Sequence, residues 1–229
     1  DPVLFLCYFE FYSQIENLNE SRSQMIPANH KRIYLWFFRH YSSLMINRSF
    51  SPVRVHSDFE DRGKPLLLIG NHFSWWDGFF AIYLNNLHFR RKFYVMMLEE
   101  QLSRRMFLSK AGAFSIKKGS RSVIESIDYA ASILRHPENI LVMYPQGEIE
   151  SLHKRPLLFQ KGIADVCKRA GGDFDIVFYA ALVDYFSRRK PSLQFYVKTH
   201  DKKKVITEDS LQDAYNDFYN SCILRQKEK

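Results

Sequence analysis

The chain has little cysteine. Its 229 residues include three, Cys7, Cys167 and Cys222. They lie too far apart for paired metal ligands and are too few for a disulfide framework, which points to a reducing compartment and to packing roles for all three. Nor does any uninterrupted apolar run approach the ~20 residues that a spanning helix requires. No basic-then-apolar leader precedes a small-residue cleavage site. Because the chain begins at Asp1 rather than at a methionine, a preceding leader or anchor stays open. There is no internal repeat, and no G-x-S-x-G elbow to mark an exposed serine nucleophile. Acidic residues are outnumbered, 25 Asp and Glu against 33 Lys and Arg, for a net charge of +8. That balance leaves nucleic acid, an anionic membrane or an acidic carrier as candidate partners.

What is present is apolar material, 46% of the residues, enough to bury a full core in one domain with an N-terminal appendage. Apolar residues crowd Val3 to Tyr12 and give way to a polar stretch ending near Pro27, which reads as a short apolar helix and a linker. From Ala28 to Arg48, Ile33, Trp36, Phe37, Tyr41, Leu44 and Met45 recur at helical spacing, with Lys31, Arg32, Arg39, His40 and Arg48 among them. Such a helix either packs on the domain or lies in a bilayer interface, aromatics among the acyl chains and cations near lipid phosphates. Residues 1–48 are accordingly expected to form an N-terminal amphipathic, membrane-binding helical segment.

Beyond it the pattern alternates. Strands are expected at Pro52–His56, Leu66–Ile69, Phe93–Met97, Ala113–Ile116, Ile140–Tyr144, Asp175–Leu182 and Leu193–Lys198. Helices are expected at Asp77–Asn86, Glu99–Leu108, Ser120–Leu134, Phe159–Arg169 and Ser210–Leu224. The fold class is α/β, with a central, largely parallel or mixed sheet flanked by helices. Lys202 to Lys204 read as a solvated basic turn.

The chemistry concentrates in LLLIGNHFSWWDGFF, Leu66 to Phe80. Leu66 to Ile69 suit a buried strand, Gly70 permits a sharp turn, and Asp77 stands where a helix N-cap belongs. Strand, polar turn and helix thereby bring His72 and Asp77 together. A carboxylate that accepts from one ring nitrogen leaves the other free to take a proton from a hydroxyl. His56 and Asp61 share the spacing, but in a charged segment without the flanking strand and helix, and read as solvated loop.

NHFSWWDG resembles the first motif, N-H-x-S-x-x-D, of the glycerolipid acyltransferases, the lysophosphatidic-acid acyltransferases and their relatives. Three more segments follow in that family's order. GAFSIKK, Gly112 to Lys118, is similar to the second motif, GxxFIxR. YPQGEIES, Tyr144 to Ser151, is similar to the third, usually FPEGTRS, and LFQKGIADVC, Leu158 to Cys167, resembles the F-K-x-G helix start that follows. The resemblance covers about Pro52 to Phe186 and makes residues 49–229 the acyltransferase domain. It implies an O-acyltransferase that moves a fatty acyl group from a thioester, on acyl-carrier protein or acyl-CoA, to a lipid hydroxyl. His72 and Asp77 would act as base and orienter, without an acyl-enzyme. Asn71, Ser74, Tyr144, Pro145, Gln146 and Gly147 would contact substrate. Gly147 and Gly162 would bring backbone N–H groups close to a ligand, and Lys117, Lys118 and Lys161 either hold phosphate or the carrier's phosphopantetheine arm or are ordinary surface lysines. No metal or cofactor is implied, and nucleic acid is not an expected partner. The expected location is peripheral, on the cytoplasmic face of a membrane.

Departures from the pattern bear on the acceptor. Gln146 replaces the third motif's glutamate, and Ile149 and Glu150 stand where the family usually carries an arginine associated with acceptor phosphate. Lys154 or Arg155 are candidate substitutes. The fourth motif's apolar strand and proline have a loose echo in VFYAALV, Val177 to Val183, without the proline. A thioesterase and a membrane or lipid binder whose chemistry has lapsed are the alternatives.

Overall fold

The computed structural model describes residues 25–117, 122–201 and 206–227. The apolar helix expected before Ser23, Lys118 and the Lys202–Lys204 run lie outside these described residues.

Seven strands form one mixed sheet: β1 (Val53–Ser57), β2 (Leu66–Gly70), β3 (Lys92–Leu98), β4 (Ala113–Ile116), β5 (Asn139–Met143), β6 (Asp175–Asp184) and β7 (Ser192–His200). Their order across the sheet is β1-β7-β6-β2-β5-β3-β4. Strands β6, β2, β5, β3 and β4 run parallel, whereas the β6–β7 pair is antiparallel and β1 follows β7. The carboxyl ends of β2, β3, β4, β5 and β6 therefore share one edge, where open α/β sheets bind ligands.

The sheet is covered on both faces, so its central strands read as apolar runs rather than alternating ones. In β2 all five residues are buried. Leu67 and Ile69 pack into one core with α4 (Ser122–Ile133), α5 (Ile163–Ala170) and α6 (Glu208–Leu224). Leu66 and Leu68 face the other, with α1 (Arg32–Ser49) and α2 (Asp77–Leu84). Thr207 caps α6 in a reciprocal box with Ser210.

Helix α1 buries Phe38, Ser42 and Ile46, one stripe at i, i+4, i+8. The apolar set predicted for it splits: Phe37 and Tyr41 stack together at 5.4 Å beside Phe79 and Phe107, while Ile33 (71% exposed), Trp36 (62%) and Leu44 (64%) face outward. No helix among the described residues is long and apolar enough to cross a membrane.

Two expected helices are shorter than their patterns. Glu99–Leu108 breaks into α3 (Glu99–Ser103) and a 3₁₀ segment, Met106–Ala111, because Arg105 takes φ −140°. Phe159–Arg169 becomes helical only at Ile163, since Gly162 before it has φ +125°, a conformation that an α-helix cannot include. Helix α2 continues into a π-helical turn, Asn85–Phe89.

Candidate active site

A polar turn, Asn71 to Trp76, connects β2 to α2. Gly70 is still within the strand, and the reason for glycine there is space rather than the expected sharp turn: a Cβ would lie 2.1 Å from the Tyr179 ring. Asn71 ties the turn to β6, its Nδ2 donating to the Ala181 carbonyl at 3.0 Å and its Oδ1 accepting from the Ala181 N–H at 2.9 Å. Ser74 Oγ accepts from the Trp76 N–H at 3.1 Å. In these bonds the two residues, expected to touch substrate, shape the turn.

His72 leaves this turn with its side chain 24% exposed, and its Nδ1 lies 2.7 Å from Asp77 Oδ2. With the carboxylate accepting, the ring hydrogen sits on Nδ1 and the lone pair on Nε2. Asp77 is the first residue of α2 rather than its cap. Its Oδ2 also accepts from the N–H groups of Phe73 and Ser74, at 2.7 and 2.9 Å, so it organises the turn behind it. Burial pushes the Asp77 carboxyl up from its ordinary value, opposed by the hydrogen bonds from His72, Ser74 and Phe73. Its Oδ1 is buried and has no hydrogen-bond partner among the described residues.

Tyrosines back the dyad. Tyr144, just past β5, stacks on the His72 ring at 4.7 Å and donates through its hydroxyl to the Asp77 carbonyl at 2.7 Å. Tyr179 donates to the Tyr144 hydroxyl at 2.8 Å, and Tyr215 of α6 to the Tyr179 carbonyl at 2.8 Å. Burial holds all three phenols well above their ordinary value, which keeps them protonated donors.

Gln146 locks the other side of His72. Its Oε1 accepts from the His72 N–H at 2.7 Å, and its Nε2 donates to Glu150 Oε2 at 2.7 Å. The Glu150 N–H donates to the His72 carbonyl at 2.9 Å, so Gln146 and Glu150 clasp one peptide segment. Glu150 also pairs with Lys154. Burial raises its carboxyl, but the Lys154 and Gln146 hydrogen bonds outweigh this and bring it below the ordinary value.

His72 opens onto a cavity of about 760 Å³ walled by apolar side chains, among them Phe79, Ile82, Met96, Leu108, Ile127 and Val166. Its size falls in the range of small-molecule sites. Val95 to Leu98 of β3 are half-buried, since they wall this space. Methionines at 96, 97 and 143 give the wall adaptable surface.

One family model, described as Acyltransferase, matches residues 52–183, more than half of the 229 and most of the site, from His72 and Asp77 through Tyr144, Gln146 and Glu150 to Tyr179. The chain belongs to the acyltransferase family. It is an enzyme of acyl transfer. A comparison with curated proteins returns no match.

In this acyltransferase the cations distribute unlike the expectation. Lys161 is exposed at the cavity wall, but Lys117 does not line the cavity and stands 3.5 Å from Glu99. Lys154 is paired with Glu150, and Arg155 lies over the Tyr219 ring at 5.8 Å. Arg105, which sequence reasoning missed, lines the cavity because the chain breaks from helix there. The glycine reading also changes. Gly147 and Gly162 have left-handed φ values of 71° and 125°, but their N–H groups donate to the Tyr144 carbonyl at 3.0 Å and to Glu208 at 3.1 Å. Among the open donors of the lining are the N–H groups of Glu148 and Ile149, which form no hydrogen bond among the described residues. Pro145 lines the cavity, its carbonyl accepting from Gln160.

Proposed function

We propose that this acyltransferase moves a fatty acyl group from a thioester, carried by acyl-carrier protein or CoA, directly to a lipid hydroxyl. The observation that carries the reading is the 2.7 Å bond from His72 Nδ1 to Asp77 Oδ2 at the mouth of the apolar cavity. His72 Nε2 takes the proton from the acceptor hydroxyl as its oxygen attacks the thioester carbonyl. The tetrahedral oxyanion forms beside the unbonded Glu148 and Ile149 N–H groups, whose dipoles favour that charge. As the C–S bond breaks, the departing thiolate takes the proton back from the imidazolium. Asp77 holds the tautomer and stabilises the cation meanwhile. The cavity receives the acyl chain.

Transfer takes place peripherally at a membrane surface, through α1. Support comes from its outward Ile33, Trp36 and Leu44 beside exposed Lys31, Arg32, Arg39 and Arg48, with no acidic residue in the helix.

The test is His72→Ala in purified enzyme, with acyl-thioester donor and a lipid-alcohol extract as acceptor, read by mass spectrometry of the acylated product. A loss of at least ~100-fold is expected, with the far-UV spectrum unchanged. Retention of most activity by the folded variant overturns the mechanism.

A further inference from the structure

Between β6 and β7 the chain turns through Tyr185, Phe186, Ser187, Arg188, Arg189 and Lys190. Tyr185 is 62% exposed and Phe186 39%, and the four residues after them are exposed as well. Phe186 has φ 46°, in the left-handed region, where asparagine or glycine would sit with less strain. A loop meant only to join two strands gains nothing from a large aromatic at that position. Arg188, Arg189 and Lys190 form no ion pair among the described residues. Asp184, the one acid at the base, is hydrogen-bonded to Gln226 at 2.7 Å.

Position gives this tip its meaning. Gly70 pairs with Tyr179, and β6 continues to Asp184, which at about 3.3 Å per residue carries the hairpin some ~17 Å beyond the end of β2. It projects at the edge where His72 emerges. The hairpin is also joined to α1: the Ser51 N–H, just past that helix, donates to the Pro191 carbonyl at 2.8 Å. Arg48 and Leu44 of α1 lie within two turns of the junction, both exposed.

We propose that the β6–β7 tip is a second membrane-docking element, seated in an anionic bilayer with Tyr185 and Phe186 in the interface and Arg188, Arg189 and Lys190 against lipid phosphates. This rests on the reading that the enzyme works at a bilayer, and adds to it that two contacts, α1 and the tip, fix which way the catalytic edge faces. An acidic protein partner is served by the three cations, but it has no use for paired aromatics thrust past the sheet edge; a bilayer interface accommodates both.

The test is cosedimentation of the full chain with phosphatidylcholine vesicles, with and without phosphatidylglycerol. Three variants are compared with wild type: Arg188→Gln/Arg189→Gln/Lys190→Gln, Tyr185→Ser/Phe186→Asn, and Ile33→Ser/Trp36→Ser/Leu44→Ser. Asparagine at 186 tolerates the left-handed φ, so the tip keeps its shape. The charge variant should lose about fivefold in partitioning per cation, roughly 100-fold in all, and only on anionic vesicles. The aromatic variant should lose at least ~10-fold, and the loss should persist in high salt. Wild-type binding left unchanged in both folded tip variants, but lost in the α1 variant, overturns the tip and leaves the α1 reading standing. Wild type that fails to sediment overturns the membrane reading and the tip with it. A charge variant that keeps vesicle binding but no longer captures purified acyl-carrier protein reassigns the tip to a protein partner and overturns the proposal.

Discussion

Tyr144 lies nearly parallel to His72, with 22° between the ring planes, and its hydroxyl bonds the carbonyl of the residue that orients the same imidazole. The two functions of this tyrosine are separable. In the proposed mechanism its face would stabilise the imidazolium formed when His72 takes a proton, an interaction worth about 0.5–2 kcal/mol. Its hydroxyl joins Asp77 to Tyr179 and the core. Tyr144→Leu should therefore lower kcat by about 2- to 30-fold with KM little changed. Tyr144→Phe keeps the ring, as in the family's usual FPEG, and should keep kcat. It leaves the Asp77 carbonyl and the Tyr179 hydroxyl without their bonds, which costs about 1–3 kcal/mol and shows as a lower Tm. Equal kcat losses in both variants would deny the ring its role.

Asp77 supplies a prediction of opposite sign for activity and stability. Burial raises its carboxyl above the ordinary 3.8. A group raised in the fold contributes stability that is complete below the unfolded value and is lost as pH climbs through the folded one. Ionised Asp77 is thus a stability cost, which the proposed mechanism would explain. Asp77→Asn should have a higher Tm than wild type at neutral pH, and that advantage should disappear on acidification below the carboxylate range. Activity should fall by orders of magnitude, since an amide does not stabilise the imidazolium. Thermal melts at several pH values check the first expectation; a neutral-pH Tm below wild type contradicts it.

Some of this was legible in the sequence and some was not. His72 and Asp77 could be paired because strand, turn and helix start are all local signals within twelve residues. The sheet followed from alternating patterns, and β2 from its uninterrupted apolar run. Gln146 and Glu150 looked like two independent departures from a motif, because their common partner, the His72 backbone, is over seventy residues away in sequence. The role of Tyr179 beneath Gly70, and the cavity behind Val95 to Leu98, depend on which faces meet, which periodicity does not state. Arg105 was hidden because an unbroken helical pattern from Glu99 to Leu108 gives no sign of the break that turns it to the cavity.

The Gln146–Glu150 pair predicts that restoring the family's glutamate will harm this enzyme. In Gln146→Glu the donor to Glu150 becomes a second carboxylate at hydrogen-bond distance, where the present separation is 2.7 Å, and like charges so placed repel. The His72 peptide segment that both residues hold should shift, and activity should drop about 10-fold or more, the effect of a misplaced reacting group. Adding Glu150→Gln should recover most of the loss by supplying a donor again. Additive losses in the double variant would show that the two residues act separately.

The last prediction concerns the acceptor. A phosphate monoester in a partly dry cleft needs cations, and leaving it uncompensated costs several kcal/mol. Of the cations expected to serve a phosphate, Lys154 is held by Glu150 and Arg155 by the face of Tyr219, while Lys117 sits by Glu99 outside the cavity lining. Ile149 and Glu150 stand where the family usually has an arginine, and Glu150 brings negative charge there on a side chain only 8% exposed. A neutral alcohol meets none of this repulsion. Purified enzyme should accordingly acylate a non-phosphorylated lipid alcohol at least ~10-fold more efficiently than lysophosphatidate, a difference of about 1.4 kcal/mol in transition-state binding. Arg155→Ala should change neither rate by more than about twofold, as befits a surface cation. Two cations of the lining remain without ion pairs among the described residues, Arg105 and Lys161, and they define the contrary outcome. If lysophosphatidate proves the better acceptor and Arg105→Ala or Lys161→Ala abolishes that preference, the phosphate is held by that cation of the lining, and a neutral acceptor is ruled out as the preferred one.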